Sequence, residues 1–370
     1  MSAAGAGAGD GALVLSAWSA VSPFGIGAAA WTAGLAAGAP RGATAACPPE
    51  PDAAPVESVA LVPDFSAAGH LGRKGTRTMD RQTGLAVAAV NGLVAECGPD
   101  LTRDPERVGL VFGTGFAGLD RFMALIHESL TGARPYHVDS AKFPSAVMNK
   151  AAAHCAIWHG VRGPNTTVTG DWLSGILALS YAVRLHRAGH CDRVLLGAVE
   201  EFSTARAWLE WHADSARAAV LGEGSVAFVL ETAAQAAAAG RRPHAAVLGT
   251  GFRAYAGQGQ AAAALAGCLR ETLARHGRRP ADVAVVSTAG LGGDLGAAEA
   301  AALDEVCGAD TERLTCRPLV GETAGVSTGF QLAALLARGA GRQDPGRVAV
   351  VTGIGRDHSV GCAVIGGVVT

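Results

Sequence analysis

Eight cysteines are the first candidate nucleophiles and metal ligands in this sequence: Cys47, Cys97, Cys155, Cys191, Cys268, Cys307, Cys316 and Cys362. None forms a Cys-x-x-Cys pair, and the closest two stand nine positions apart, so no zinc spacing exists. Thiols scattered this way are expected to be buried and reduced. Gly113-x-Gly115-x-x-Gly118 follows a strand-like run and matches the loose dinucleotide pattern, whose glycines bring backbone amides to a pyrophosphate. The chain has 51 glycines, and no acidic residue closes a following strand about 20 positions on, so the match carries little weight. No Walker phosphate loop is present. His154, His159, His186, His190 and His358 show no pairing signature.

Composition narrows the field. Hydrophobic residues make up 49% of the 370, and charged residues 17%, where an average globular chain has about 25%. That combination excludes intrinsic disorder. A formal net charge of −2 provides no basic face for nucleic acid. The weakly charged surface suggests a protein partner. No charge-free apolar run reaches the roughly 18–20 residues a membrane span needs. Met1 to Asp10 lacks a basic n-region and does not read as a signal peptide. A cytoplasmic protein without metal or cofactor is expected.

The elements that would position any chemistry recur in a fixed order. Strands are expected at 13–17, 108–112, 166–169, 193–197, 226–230, 245–249, 282–286 and 348–351. Helices are expected at 28–37, 83–96, 119–130, 145–159, 173–188, 261–276 and 297–306. Residues 40–80 read as a long surface excursion. Pro105 to Val111 runs into Gly113 and Gly115 and then a helix, and Pro280 to Val286 runs likewise into Gly290, Gly292 and Gly293. Arg347 to Val351 before Gly353 echoes Arg193 to Leu196 before Gly197. This repetition implies an internal duplication, with halves at 1–235 and 243–370. Aliphatic runs without alternation imply central strands buried on both faces. The fold class is therefore layered α/β.

An ordered set of segments resembles the β-ketoacyl synthases of the thiolase fold. It comprises Val14 to Gly25, Gly113 to Leu119, Phe143 to Asn149, Gly160 to Asn165, Arg187 to Glu200, and Gly222-Glu223-Gly224. The resemblance implies a duplicated α/β/α/β/α layered fold. It also implies where a cysteine nucleophile and two histidines would stand. The nucleophile turn is Thr169-Gly170-Asp171-Trp172-Leu173-Ser174-Gly175, with Trp172 at the cysteine position. Ala289 stands at the first histidine and Glu322 at the second, with Arg317 in place of the family's lysine.

By the same resemblance, the chain is most like the inactive chain length factor that pairs with a ketosynthase in type II polyketide synthases. The partners implied are that ketosynthase and an acyl carrier protein bearing phosphopantetheine. In such pairs the helix after the glycine loop lines the end of the acyl tunnel, which points to Phe116, Ala117, Asp120 and Ala124. The spacing of Phe116, Asp120, Ala124 and His127 puts them on one helical face. Whether that face lines a tunnel or simply packs, with Asp120 toward solvent, is open at this level. A buried Asp120 would need a partner. Lys142 and Phe143 match the segment that crosses the dimer interface in relatives. Two other functions compete. One is a self-sufficient acyltransferase using Ser174 or an Asp171–Glu322 carboxylate pair. The other is a homodimeric acyl-binding protein without turnover.

Overall fold

The computed structural model describes residues 11–38, 45–46, 56, 58–213, 220–339 and 346–367. Met1 to Asp10 and Cys47 lie outside the described residues. Ten strands form the body of one large sheet. The first five are β1 (Leu13–Ser22), β2 (Val108–Gly113), β3 (Asn165–Val168), β4 (Arg193–Glu200) and β5 (Gly224–Thr232). The second five are β6 (Ala245–Ala254), β7 (Val283–Ser287), β8 (Glu312–Leu314), β9 (Val348–Ile354) and β10 (Ser359–Gly366). A two-residue strand, Gly25–Ile26, folds back on β1.

The spatial order is β8-β7-β9-β10-β6-β1-β5-β4-β2-β3. Counted from the outer edge inward, each set of five runs third, second, fourth, fifth, first. In each set the outer three strands are parallel and the inner pairings antiparallel. The sets join through the antiparallel β1–β6 contact, Val14 opposite Ala246. β1, β2 and β9 are buried along their whole length. Helices cover both of their faces, so neither face needs polar residues.

The helices complete the layers. They are α1 (Ala28–Ala37), α2 (Arg81–Cys97), α3 (Leu119–Thr131), α4 (Lys150–His159), α5 (Ser174–Arg187), α6 (Thr204–Ala213), α7 (Ala261–Arg275), α8 (Gly293–Cys307) and α9 (Ser327–Ala337). Helix α2 covers β1, β4 and β5, and α7 covers β6 and β10. Helices α5 and α9 pack on each other between the two sets of strands. This is the expected α/β/α/β/α layering. Glycine permits the central contact: a Cβ on Gly175 would lie 2.5 Å from the backbone nitrogen of Gly329. Trp31 of α1 stacks on Phe330 of α9 at 4.6 Å between ring centroids, tying the first helix to the centre.

Several expectations need correction. Residues 143–159 form two helices, Phe143–Ala146 and α4, not one. The described part of 40–80 is not all surface, because Val59, Ala60, Val62 and Phe65 are buried. Helices α6 and α9 and strands β8 and β10 were not legible in the sequence. Among the described residues, no helix is long and apolar enough to cross a membrane.

Candidate functional site

The two halves build the site in the same way. Strand β3 leads to a 3₁₀ turn, Asp171–Leu173, and then α5; β8 leads by a longer path to a 3₁₀ turn, Ala324–Val326, and then α9. Each turn opens on a non-glycine residue with positive φ, Asp171 at 46° and Ala324 at 41°. Such strain persists only where surrounding contacts enforce it. Here both turns point toward the middle of the molecule and meet there.

Trp172 and Glu322 are the residues that meet. The indole Nε1 donates to Glu322 Oε1 at 2.7 Å. Trp172 is 6% exposed and Glu322 is 3% exposed. Oε1 also accepts the Ala324 N–H at 2.7 Å, and Oε2 forms an ion pair with Arg317 Nη1 at 2.6 Å. Ala289 stands two residues past the end of β7, in the same buried cluster as Trp172, Tyr255, Leu295 and Ile354. Its N–H donates to the buried Glu299 at 3.0 Å. Of the three positions singled out by sequence, Trp172 and Glu322 thus meet directly, and Ala289 shares the apolar cluster of Trp172. A tryptophan and a paired carboxylate fill the meeting point.

Two arginines flank the indole. Arg317 lies 5.7 Å and Arg356 4.7 Å from its ring, within cation–π range. Arg356 also approaches Asp171 at 3.7 Å and forms a two-pronged pair with Glu210 of α6, at 2.6 and 2.9 Å. Burial raises the Asp171 carboxyl above its ordinary value; Arg356 opposes the shift and Glu322 adds to it. Asp171 and Glu322 feel each other's charge, but each is held by an arginine.

Buried polar residues lock the surrounding loops. Arg206 of α6 is fully buried and donates to the carbonyls of Gly222 and Glu322 at 2.9 and 2.6 Å. Glu322 in turn pairs its backbone with Gly222 and Val220. That approach explains the glycine, since a Cβ on Gly222 would lie 1.9 Å from the Val320 carbonyl oxygen. Glu223 holds Arg81 at 2.7 and 2.5 Å and accepts the Val62 N–H. Glu200 accepts the N–H groups of Gly115, Phe116 and Gly325. The glycine-loop amides therefore face a carboxylate of their own chain, which leaves them closed to a pyrophosphate.

The remaining candidates fall as follows. Ser174 is fully buried; its hydroxyl accepts the Gly170 N–H at 3.0 Å and lies 2.7 Å from the Asp171 carbonyl. It shapes the turn and faces no open space. Cys155 and Cys191 are buried, and burial pushes both thiols up, away from reactivity. Phe116 precedes α3 and sits 5.9 Å from the Arg206 guanidinium, so it does not share the helical face of Asp120, Ala124 and His127. Ala117 is half-buried in the same turn and Ala124 half-buried on α3. Asp120 is exposed, and its carboxylate accepts the Ala205 N–H at the start of α6 at 3.0 Å. Lys142 pairs with Glu128, and Phe143 is 63% exposed. Sequence reasoning missed Arg356, Arg206 and Glu210. The one available signal was chemical: a carboxylate beside Trp172 in a closed site needs a cation.

Residues 62–236 match the model of the β-ketoacyl synthase N-terminal domain. The structure resembles the ishigamide ketosynthase/chain length factor with a TM-score of 0.86 and 37% sequence identity, over 97% of this chain and 100% of that one. The chain belongs to the β-ketoacyl synthase family, with its thiolase-like layered fold. A type II polyketide synthase acyl carrier protein in complex with its ketosynthase bound to the hexaketide (AntDE:AntF) gives a TM-score of 0.81. The identity is 16%, over 97% of this chain and 100% of that one, a likeness of fold alone. The 3-oxoacyl-[acyl-carrier-protein] synthase 2 of Vibrio harveyi is 30% identical over 145 residues, 39% of this chain and 35% of that protein. The match thus spans about a third of that relative's length.

Proposed function

We propose that this chain is a non-catalytic, chain-length-factor-like subunit. It pairs in the cytoplasm with an active ketosynthase and shapes the acyl tunnel while the pair elongates a polyketide or polyene chain on an acyl carrier protein. Decarboxylative condensation needs a thiolate to hold the acyl group and imidazoles to stabilise the enolate. Indole nitrogen has no lone pair for attack, and its N–H only donates. The observation that carries the reading is the Trp172–Glu322 hydrogen bond, which joins two of the altered positions inside a filled pocket. Ala289 supplies no donor side chain at the third. The engaged hydroxyl of Ser174 and the arginine-bound Asp171 and Glu322 weigh against a reworked acyltransferase.

An exposed apolar surface supports the pairing. Phe122 is 50% and Leu130 80% exposed on α3, and Phe143 and Met148 stand out beside them. Helix α3 has no buried residue at all. Large contiguous apolar patches mark interaction sites. Co-expression with an active type II ketosynthase subunit tests the reading: a 1:1 complex is expected on a sizing column. A stable homodimer that ignores the ketosynthase would overturn it.

A further inference from the structure

We propose that Arg356 is a positioning residue for the acyl tunnel. It fixes helix α6, and through α6 the helix α3, relative to the filled pocket. This rests on the subunit reading above. Helix α6 has little apolar anchorage: only Arg206 and Ala207 are buried, while Trp208, Leu209 and Trp211 are exposed. Polar ties therefore set its pose. At its first turn, the Ala205 N–H donates to Asp120 of α3. In the same turn, Arg206 grips the Gly222 and Glu322 carbonyls. Toward its end, Glu210 takes the two-pronged Arg356 pair.

Arg356 lies in the turn between β9 and β10, with its guanidinium over Trp172 and beside Asp171. One planar fork thus links the pocket filling to α6. The α6–α3 packing and the Asp120 bond carry the position onward to the helix expected to line the tunnel. A part-exposed ion pair contributes little stability, but a bidentate guanidinium fixes direction as well as distance. An ammonium cannot reproduce the fork.

The first test uses the full chain alone, labelled with fluorotryptophan, with the Trp208 and Trp211 fluorine signals assigned by substitution. Arg356→Gln and Glu210→Gln should each move both signals, and the double variant should add nothing further. Arg356→Lys should behave like Arg356→Gln. Trp172→Phe, which leaves the arginines in place but changes the ring beneath Arg356, should move the Trp208 and Trp211 signals as well. Unmoved signals in Arg356→Gln or Trp172→Phe would overturn the proposal.

The second test uses the complex with the ketosynthase. Arg356→Gln should change the ratio of product chain lengths by about fivefold or more while complex formation persists. Moved fluorine signals with an unchanged product ratio would confine Arg356 to holding a helix and overturn its role in the tunnel. Condensation by the isolated chain would instead overturn the subunit reading, and the fluorine signals would still decide whether Arg356 positions α6.

Discussion

Trp172 and Glu322 are 150 residues apart in sequence and share a 2.7 Å hydrogen bond between the indole nitrogen and a carboxylate oxygen. Each stands at or just before the 3₁₀ turn that opens a central-layer helix in its half of the molecule. The bond therefore pins the two halves together at the centre of the molecule.

Removing the carboxylate should cost more than removing the indole donor. Glu322→Ala leaves the part-buried Arg317 without its ion-pair partner and the Trp172 and Ala324 N–H groups without their acceptor, a loss of about 3–5 kcal/mol for a broken buried pair. Trp172→Phe keeps an aromatic, though smaller, ring and leaves the Ala324 N–H bond to Glu322, and should cost about 1–3 kcal/mol. Urea midpoints with unchanged slopes will check the order. Two variants as stable as the parent would contradict the role given to this bond.

Stability should fall as the solution turns alkaline. Burial raises Glu200 to about 7 and Glu201 to about 8, against an ordinary 4.5; for Glu201 the Asp80 charge adds to the effect. Both groups hold their protons more tightly folded than unfolded. Their stabilising contribution is whole below about pH 4.5 and is lost as pH rises through their folded values. The urea midpoint should drop between about pH 4.5 and 8, the range from the ordinary value to the folded ones. Glu201→Gln, which keeps an acceptor for the Gln82 N–H, should flatten that drop. An unchanged profile in this variant would remove Glu201 from the explanation.

Ser174→Ala separates a structural hydroxyl from a reactive one. Loss of the acceptor for the part-buried Gly170 N–H should destabilise by about 1–3 kcal/mol. The product output of the complex with the ketosynthase should not change once the protein is folded. A folded variant with output abolished would revive the acyltransferase alternative.

The exposed face of α3 should decide partner binding. Phe122→Asp or Phe143→Asp places a charge in the middle of an apolar patch, and charges buried without partners are strongly penalised. Each should weaken complex formation in a titration by more than tenfold, the equivalent of about 1.4 kcal/mol, without lowering the chain's own urea midpoint. Unaltered affinity in both variants would move the interface elsewhere.

How much of this was legible in the sequence follows from the range of the interactions. The strand–glycine loop–helix order is local, so α1 is found at its expected bounds and β2 and α5 within a residue or two of theirs. Trp172 could be placed at its turn because the segments on either side align without a gap. Strand β10, Ser359–Gly366, was missed because its two glycines and its serine read as punctuation, although it is buried almost throughout. Arg356 sits in a Gly-Arg-Asp-His turn and looks solvent-bound. Its partners Asp171 and Glu210 lie 185 and 146 residues away, and only the folded chain brings them together. Asp120 needed a partner if buried; it is exposed, and its partner is a backbone amide, which no side-chain pattern announces.

The central claim concerns chemistry, and a turnover assay addresses it most directly. The purified chain, the purified ketosynthase complex, and a complex whose ketosynthase cysteine is replaced by alanine would each receive acyl and malonyl thioesters of the carrier protein. The account predicts condensation only from the complex with its ketosynthase cysteine intact, and none from the chain alone. Condensation by the isolated chain, lost on substitution within this chain's own pocket, would contradict it.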